Sequence, residues 1–451
     1  MDAKKEDKTM SFTIDKQTLE ELNLMGKFRN GSVYGLFNKV KTIGGQRLLN
    51  HMFSHPLEDE SAINERSGIF RYFQESRLEF PFDVQQIGMM RDYLDAETGK
   101  SALFTLADVL RKKWLSVLIR DERYKKIVQG LQATIVSLNR CYAFVTAIHA
   151  ATGPYAARMR SIKELLSDKK LEKLRNINIY KDLPVKDLAF YDHLLKNGLS
   201  ETMKATMAFI CELDVFIAVG NVARARGFTY ARALSREHNI LSATGLCHPC
   251  IDGAVGNSIS LNTGSNVLFL TGANMAGKST LMKSVGIGLY LAHMGFPIAA
   301  TRMDFSVREG LYSSINVADN INLGYSHFYA EVMRVKQAAE AAASGKKLLL
   351  MFDELFKGTN VKDAYDGTLA VTEAFAEYED CLFIVSTHII EVGEALKGNS
   401  NIQFVYMPTI MEGVHPRYTY RLQQGITEDR QGMMIIRNEG ILELLKTHHP
   451  F

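Results

Sequence analysis

The stretch NVLFLTGANMAGKSTLMKSVG, residues 266–286, constrains the fold more than any other part of the chain. An apolar run ends in G-x-x-x-x-G-K-S, Gly272 to Ser279, and a helical pattern begins at Lys278. Gly272 and Gly277 let the backbone curl until successive N–H groups point inward, and the positive end of the following helix lies beside them. Such a turn is suited to phosphate oxygens. The contributing residues would be Gly272, Ala273, Asn274, Met275, Ala276, Gly277, Lys278, Ser279 and Thr280. Lys278 would reach the terminal phosphates and the Ser279 hydroxyl would ligand Mg²⁺. A strand, a glycine-rich turn and a helix in that order imply an α/β domain.

A phosphate loop needs an acid on a neighbouring strand. LLLMFDELFKGTN, residues 348–360, ends an apolar run in Asp353-Glu354. Two adjacent carboxylates there are costly unless a cation or a chemical step uses them. Asp353 is the candidate second ligand of Mg²⁺, and Glu354 the candidate group that orients and deprotonates the attacking water. CLFIVSTHIIEV, residues 381–392, is a third apolar run, ending in Ser386-Thr387-His388. His388 is placed to touch the γ-phosphate and the water.

The rest of the chain supplies the organisation. At 451 residues it exceeds one ordinary core. Apolar content of 46%, charged content of 23% and a net charge of +3 are those of a globular protein without a dominating basic field. Five cysteines and a polar start without an apolar leader point to a reducing setting, with the cytoplasm as expected location. No apolar run approaches the ~20 residues of a membrane span, so no membrane partner is expected. Residues 1–10 read as a loose tail. Residues 11–235 read as a mostly helical domain and 236–451 as the α/β domain, where short apolar strands alternate with helices. Within the front part, 35–57 reads as one helix stopped by Pro56, 61–73 as a helix with Ser61 as N-cap, and 202–228 as a long helix ending at Gly227. Cys247-His248-Pro249-Cys250 has no second cysteine pair downstream, which argues against a structural zinc. The basic clusters RKKW (111–114), RYKK (123–126) and NVARARG (221–227) are either solvated helix faces or a track for a phosphate backbone.

Taken together these segments resemble the MutS family of DNA mismatch-repair ATPases, relatives of ABC-type ATPases. TGANMAGKST resembles that family's phosphate loop, and VADNINLGYSHFYAEVMRV (317–335) its signature segment, with Gly324, Ser326 and Phe328 at the matching positions. DELFKGTNVKDAYDG resembles the strand-end acids and the loop at the dimer interface, STH the switch histidine, and CHPCIDGAVGNSISL (247–261) the segment whose His248 and Pro249 line the base pocket. TIGGQRLLNHMFSHPLEDESAINERSGIF (42–70) is similar to the start of the family's core, or lever, domain.

The resemblance implies an ABC-like P-loop NTPase domain behind a helical core/lever domain, with a C-terminal dimerisation segment. It implies ATP and Mg²⁺ as ligands, a homodimer through the ATPase domain with Ser326 completing the partner's site, and mismatched or branched DNA as substrate. Some features depart from the family pattern. The core begins near residue 15, leaving no place for the mismatch-reading wedge domain or the connector. The middle is short for a full DNA clamp, Ala276 replaces a loop glycine, and no aromatic for adenine stands near Ala254-Val255. A second reading keeps the ATPase and levers as a scaffolding module gripping a protein. A third, a small-molecule kinase, leaves the signature segment and His388 unexplained.

Overall fold

The computed structural model describes residues 12–26, 31–96, 101–119, 122–147, 153–178, 183–315, 327–412 and 415–427, with Ile441 and Leu444. The chain forms two compact units. One comprises Met1–Leu36, His55–Ser67 and Ala225–Phe451, and the other Phe37–Ser54 and Gly68–Arg224. Neither unit is one continuous stretch, whereas the sequence reading places a single boundary near residue 235. Two early segments belong with the α/β unit because their backbone and buried residues are satisfied there.

The main sheet of the α/β unit contains β1 (Thr13–Ile14), β2 (Val267–Gly272), β3 (Gly310–Ser314), β4 (Leu348–Asp353), β5 (Leu382–Ser386), β6 (Ile402–Met407) and β7 (Gln423–Gln424). They lie in the order β1-β3-β4-β5-β2-β6-β7. Every pairing is parallel except β6 with β7. Strands β2 and β5 are buried along their whole length, as is β4 up to Asp353. This accounts for their unbroken apolar runs, since a parallel sheet is covered on both faces. On one face Phe352, Phe375 and Phe383 stack with ring centroids 5.3 and 4.9 Å apart. A second sheet of four strands is built from 232–234, 302–306, 241–246 and 257–261.

Helices α1 (Lys16–Glu21), α4 (Lys278–His293), α5 (His327–Ala343) and α6 (Val361–Ala376) belong to the same unit. Because β4, β5 and β2 are parallel neighbours, with Asp353 opposite Ser386 and Ser386 opposite Leu270, the loops that follow them emerge at one edge. That edge is where open parallel sheets place their ligands.

The helical unit contains α2 (Ile43–Ser54) and α3 (Ser200–Arg226). The expected single helix over 35–57 is two: Val33–Phe37 and α2. Between them the buried Asp214 of α3 accepts hydrogen bonds from the N–H groups of Lys41 and Thr42 and from the Thr42 hydroxyl, at 2.7–3.0 Å. Thr42 itself caps α2, its hydroxyl oxygen accepting the Gly45 N–H at 2.9 Å, and the long-range carboxylate of Asp214 holds Thr42 and the turn before it in place. The helix read as starting at Ser61 starts at Glu60, with the Asp59 carboxylate taking the Ala62 N–H at 2.8 Å. Helix α3 ends before Gly227, whose φ of 66° suits a residue without Cβ. By length and hydropathy α3 would cross a bilayer, yet 67% of its most apolar window is buried within the protein. Phe70 and Phe73 pack on Phe216 of α3, with centroids 5.1 and 5.5 Å apart. A Cβ on Gly220 would meet the backbone of Phe73 at 2.9 Å, so this contact requires glycine.

Candidate active site

The loop between β2 and α4 has the conformation its glycines permit. Gly272 has φ 145° and Gly277, the N-cap of α4, has φ 104°. A Cβ at Gly277 would stand 3.0 Å from the Tyr420 ring, so the position is closed to other residues on two counts. Met275 also has a positive φ and is exposed. Ala276 is buried, and its N–H donates to the Ala273 carbonyl at 3.2 Å, so an alanine serves where the family pattern has a glycine. Lys278 is buried and its Nζ donates to the carbonyls of Gly272 (2.9 Å) and Ala273 (3.2 Å). Burial lowers its pKa, and Glu354 and Asp353 oppose that shift.

The acids of β4 converge on this loop. Ser279, on the first turn of α4, donates its hydroxyl to Asp353 Oδ2. Asp353 is largely buried, and burial raises its pKa. Its Oδ1 is buried without a hydrogen-bond partner among the described residues. Glu354 follows at φ 55°, a conformation rare for a residue with a side chain. The turn sends its carboxylate to His388, whose Nδ1 lies 3.4 Å from Glu354 Oε1. The hydrogen bond with His388 holds the Glu354 carboxyl below its ordinary range and raises the imidazole pKa in return. The pair gives an anion at neutral pH beside a ring that favours protonation.

A cavity of about 340 Å³ lies against the start of α4. His248, Ile251, Val255, Asn257, Thr280 and Tyr420 are among its lining residues. Pro249 is buried and is not among those lining residues. Burial lowers the His248 pKa, with Lys283 adding to the effect, so the ring is neutral and polar. Tyr420 is an aromatic lining residue that sequence reasoning did not name. It arrives from far along the chain and is held by Asn257, which donates to the Tyr420 carbonyl (2.9 Å) and accepts from Leu422 N–H (2.8 Å). The alternation in RYTYRL is its only local trace.

Two more residues were not foreseen. Glu331, buried on α5, accepts the Gly358 N–H at 3.3 Å and so touches the loop that follows Glu354. Asn360 caps α6 by accepting from Asp363 N–H. Of the signature residues, Gly324 and Ser326 lie outside the described residues. Phe328 packs its ring 6.2 Å from that of Phe356. In the basic clusters, Arg111 and Lys112 pair with Asp108 on their own helix, and Arg226 pairs with Asp252.

The family described as MutS domain III matches residues 17–220, and that described as MutS domain V matches residues 268–445. Curated relatives include the DNA mismatch repair protein MutS of Leuconostoc mesenteroides, 22% identical over 542 residues, covering 96% of this chain and 61% of the relative. Proteins of the same title from Streptococcus pyogenes serotypes M28 and M1 are each 22% identical over 512 residues, covering 92% of the chain and 59% of the relative. The chain thus spans about three-fifths of the length of these relatives.

Proposed function

The chain belongs to the MutS family, and on that premise we propose that it is an ABC-like P-loop ATPase that binds ATP with Mg²⁺, closes as a homodimer and acts on mismatched or branched DNA. One observation carries the reading. At one sheet edge a glycine-rich loop, a buried lysine, the Ser279–Asp353 hydrogen bond and the Glu354–His388 pair come together. The relatives, DNA mismatch repair proteins, support DNA as the substrate.

Residues of this chain would divide the work as follows. Loop N–H groups and the α4 N-terminus receive the phosphates, and Lys278 exchanges its loop carbonyls for phosphate oxygens. Ser279 and Asp353 would hold Mg²⁺. The buried, unpartnered Asp353 Oδ1 is what a hard cation would satisfy, and the donor set is all oxygen. Bound there, the ion would supply charge neutralisation on the phosphates. Glu354, kept anionic by His388, orients the attacking water and accepts its proton. The cavity beside α4 receives the base, with Tyr420 as the stacking face.

Tyr420→Ala is expected to raise the KM for ATP about tenfold, with kcat nearly unchanged, because base stacking contributes on the order of 1–3 kcal/mol of uniform binding. Steady-state kinetics with ATP, and with triphosphate lacking a base, check this: the variant should lose only the preference between them. An unchanged KM would remove Tyr420 from the base site.

The function as a whole is tested by equilibrium binding to perfect, mismatched and branched duplexes over a salt series in the presence of ATP. Binding that weakens linearly with log salt, and is tightest for mismatched or branched DNA, is the expected result. Active ATP hydrolysis with no DNA binding at low salt would overturn the choice of substrate and leave the ATPase reading standing.

A further inference from the structure

Helix α1 lies more than 250 residues before the glycine-rich loop, yet it grips two elements that flank the catalytic acids. Asp15 is its N-cap, and Thr18 and Glu21 follow at three-residue steps, which puts all three toward one side of the helix. Thr18 Oγ1 accepts the Ser313 N–H (2.9 Å) and a hydrogen bond from Arg334 Nη2 (3.0 Å). Glu21 Oε2 accepts from the Ser313 hydroxyl and from the Ile315 N–H (3.0 Å). Asp15 accepts from both terminal nitrogens of Arg334. Arg334, buried on α5, also donates to the Ser313 carbonyl and lies 3.8 Å over the Tyr312 ring. Strand β1, just before α1, pairs with β3 and anchors the segment.

The two gripped elements reach the acids. Ser314 and Ile315 at the end of β3, with Glu331 and Val335 of α5, line a small cavity together with Asp353 and Glu354. Glu331, one turn before Arg334, binds the loop after Glu354. We propose that Asp15, Thr18 and Glu21 are positioning residues for ATP hydrolysis: through Ser313, Ile315 and Arg334 they fix the end of β3 and helix α5 against Asp353-Glu354. A buried guanidinium holds one geometry only while its donors are met, and a shift of α5 moves the Glu331–Gly358 contact with it. This inference rests on the ATPase reading above.

The test is steady-state ATP hydrolysis by the full chain carrying Thr18→Val, which keeps the volume and removes the shared acceptor. The expected result is a kcat lowered about tenfold, with the dissociation constant of a non-hydrolysable ATP analogue unchanged. Thr18→Ser should recover most of the rate, since it restores the acceptor. Glu21→Gln, which keeps an acceptor for Ser313 and Ile315, should sit near wild type, and Glu21→Ala should match Thr18→Val. Leu261→Ala, a buried change in the four-stranded sheet, is the control for lost stability. Wild-type kcat in Thr18→Val and Glu21→Ala, or a loss no greater than in Leu261→Ala at equal thermal midpoint, would overturn the proposal. Absence of hydrolysis by the wild-type chain would instead strike the ATPase reading, so the two failures are distinct.

Discussion

Glu354→Gln is expected to bind ATP and Mg²⁺ at the wild-type level and to lower kcat by on the order of 10²–10⁴, the span for loss of a general base. The substitution keeps the side chain's shape and leaves the φ of 55° in place, so the turn after β4 is not refolded. It removes the charge that His388 stabilises and the acceptor for the proton of the attacking water. Asp353 and Ser279 are untouched, so metal and phosphate binding persist. His388→Ala should lose less, because Glu354 then remains ionised at neutral pH with its pKa moved back toward the ordinary value. Analogue binding and single-turnover hydrolysis, measured side by side, check both variants. A parallel loss of binding and turnover in Glu354→Gln would make Glu354 a metal ligand or a residue of the fold.

Lys278→Ala is expected to weaken ATP binding by on the order of 10²-fold or more, since charge-assisted hydrogen bonds to phosphate are the strong ones and this cation is already drawn out of water. The loop itself should keep its shape, because Gly272, Gly277 and the Ala276–Ala273 hydrogen bond set it and not the lysine. Isothermal titration with ATP reads the loss; unaltered affinity would overturn the phosphate-loop reading. The variant also tests assembly. Mixed with Ser326→Ala chains, it would form dimers in which one composite site carries both defects and the other carries neither. Partial return of hydrolysis is the result expected if Ser326 acts on the partner's nucleotide. Mixed dimers that form without any return would place Ser326 on its own chain's site.

What the sequence by itself determined was local and contiguous. The glycine spacing at 272–277 dictates a turn that few other residues tolerate, and the unbroken apolar runs at 348–352 and 382–385, short and alternating with helical patterns, read as strands buried on both faces, as they are. The meeting of Lys278, Ser279, Asp353, Glu354 and His388 at one sheet edge was legible for the same reason: each stands next to the motif that places it. What only the tertiary structure decided lies across crossover connections. Parallel strands cannot be joined by hairpins, so neighbours in the sheet are far apart in sequence, and no local pattern records which loops meet. Tyr420 reaches the cavity at His248 because Asn257 holds its backbone. Asp214 takes the N–H and hydroxyl of Thr42, the residue that caps α2, by a contact spanning 172 residues. Asp15, Thr18 and Glu21 read as the start of a helical domain, yet their hydrogen bonds go to Ser313, Ile315 and Arg334. Buried polar groups must find partners wherever the fold brings them, and those partners are set by packing rather than by spacing along the chain.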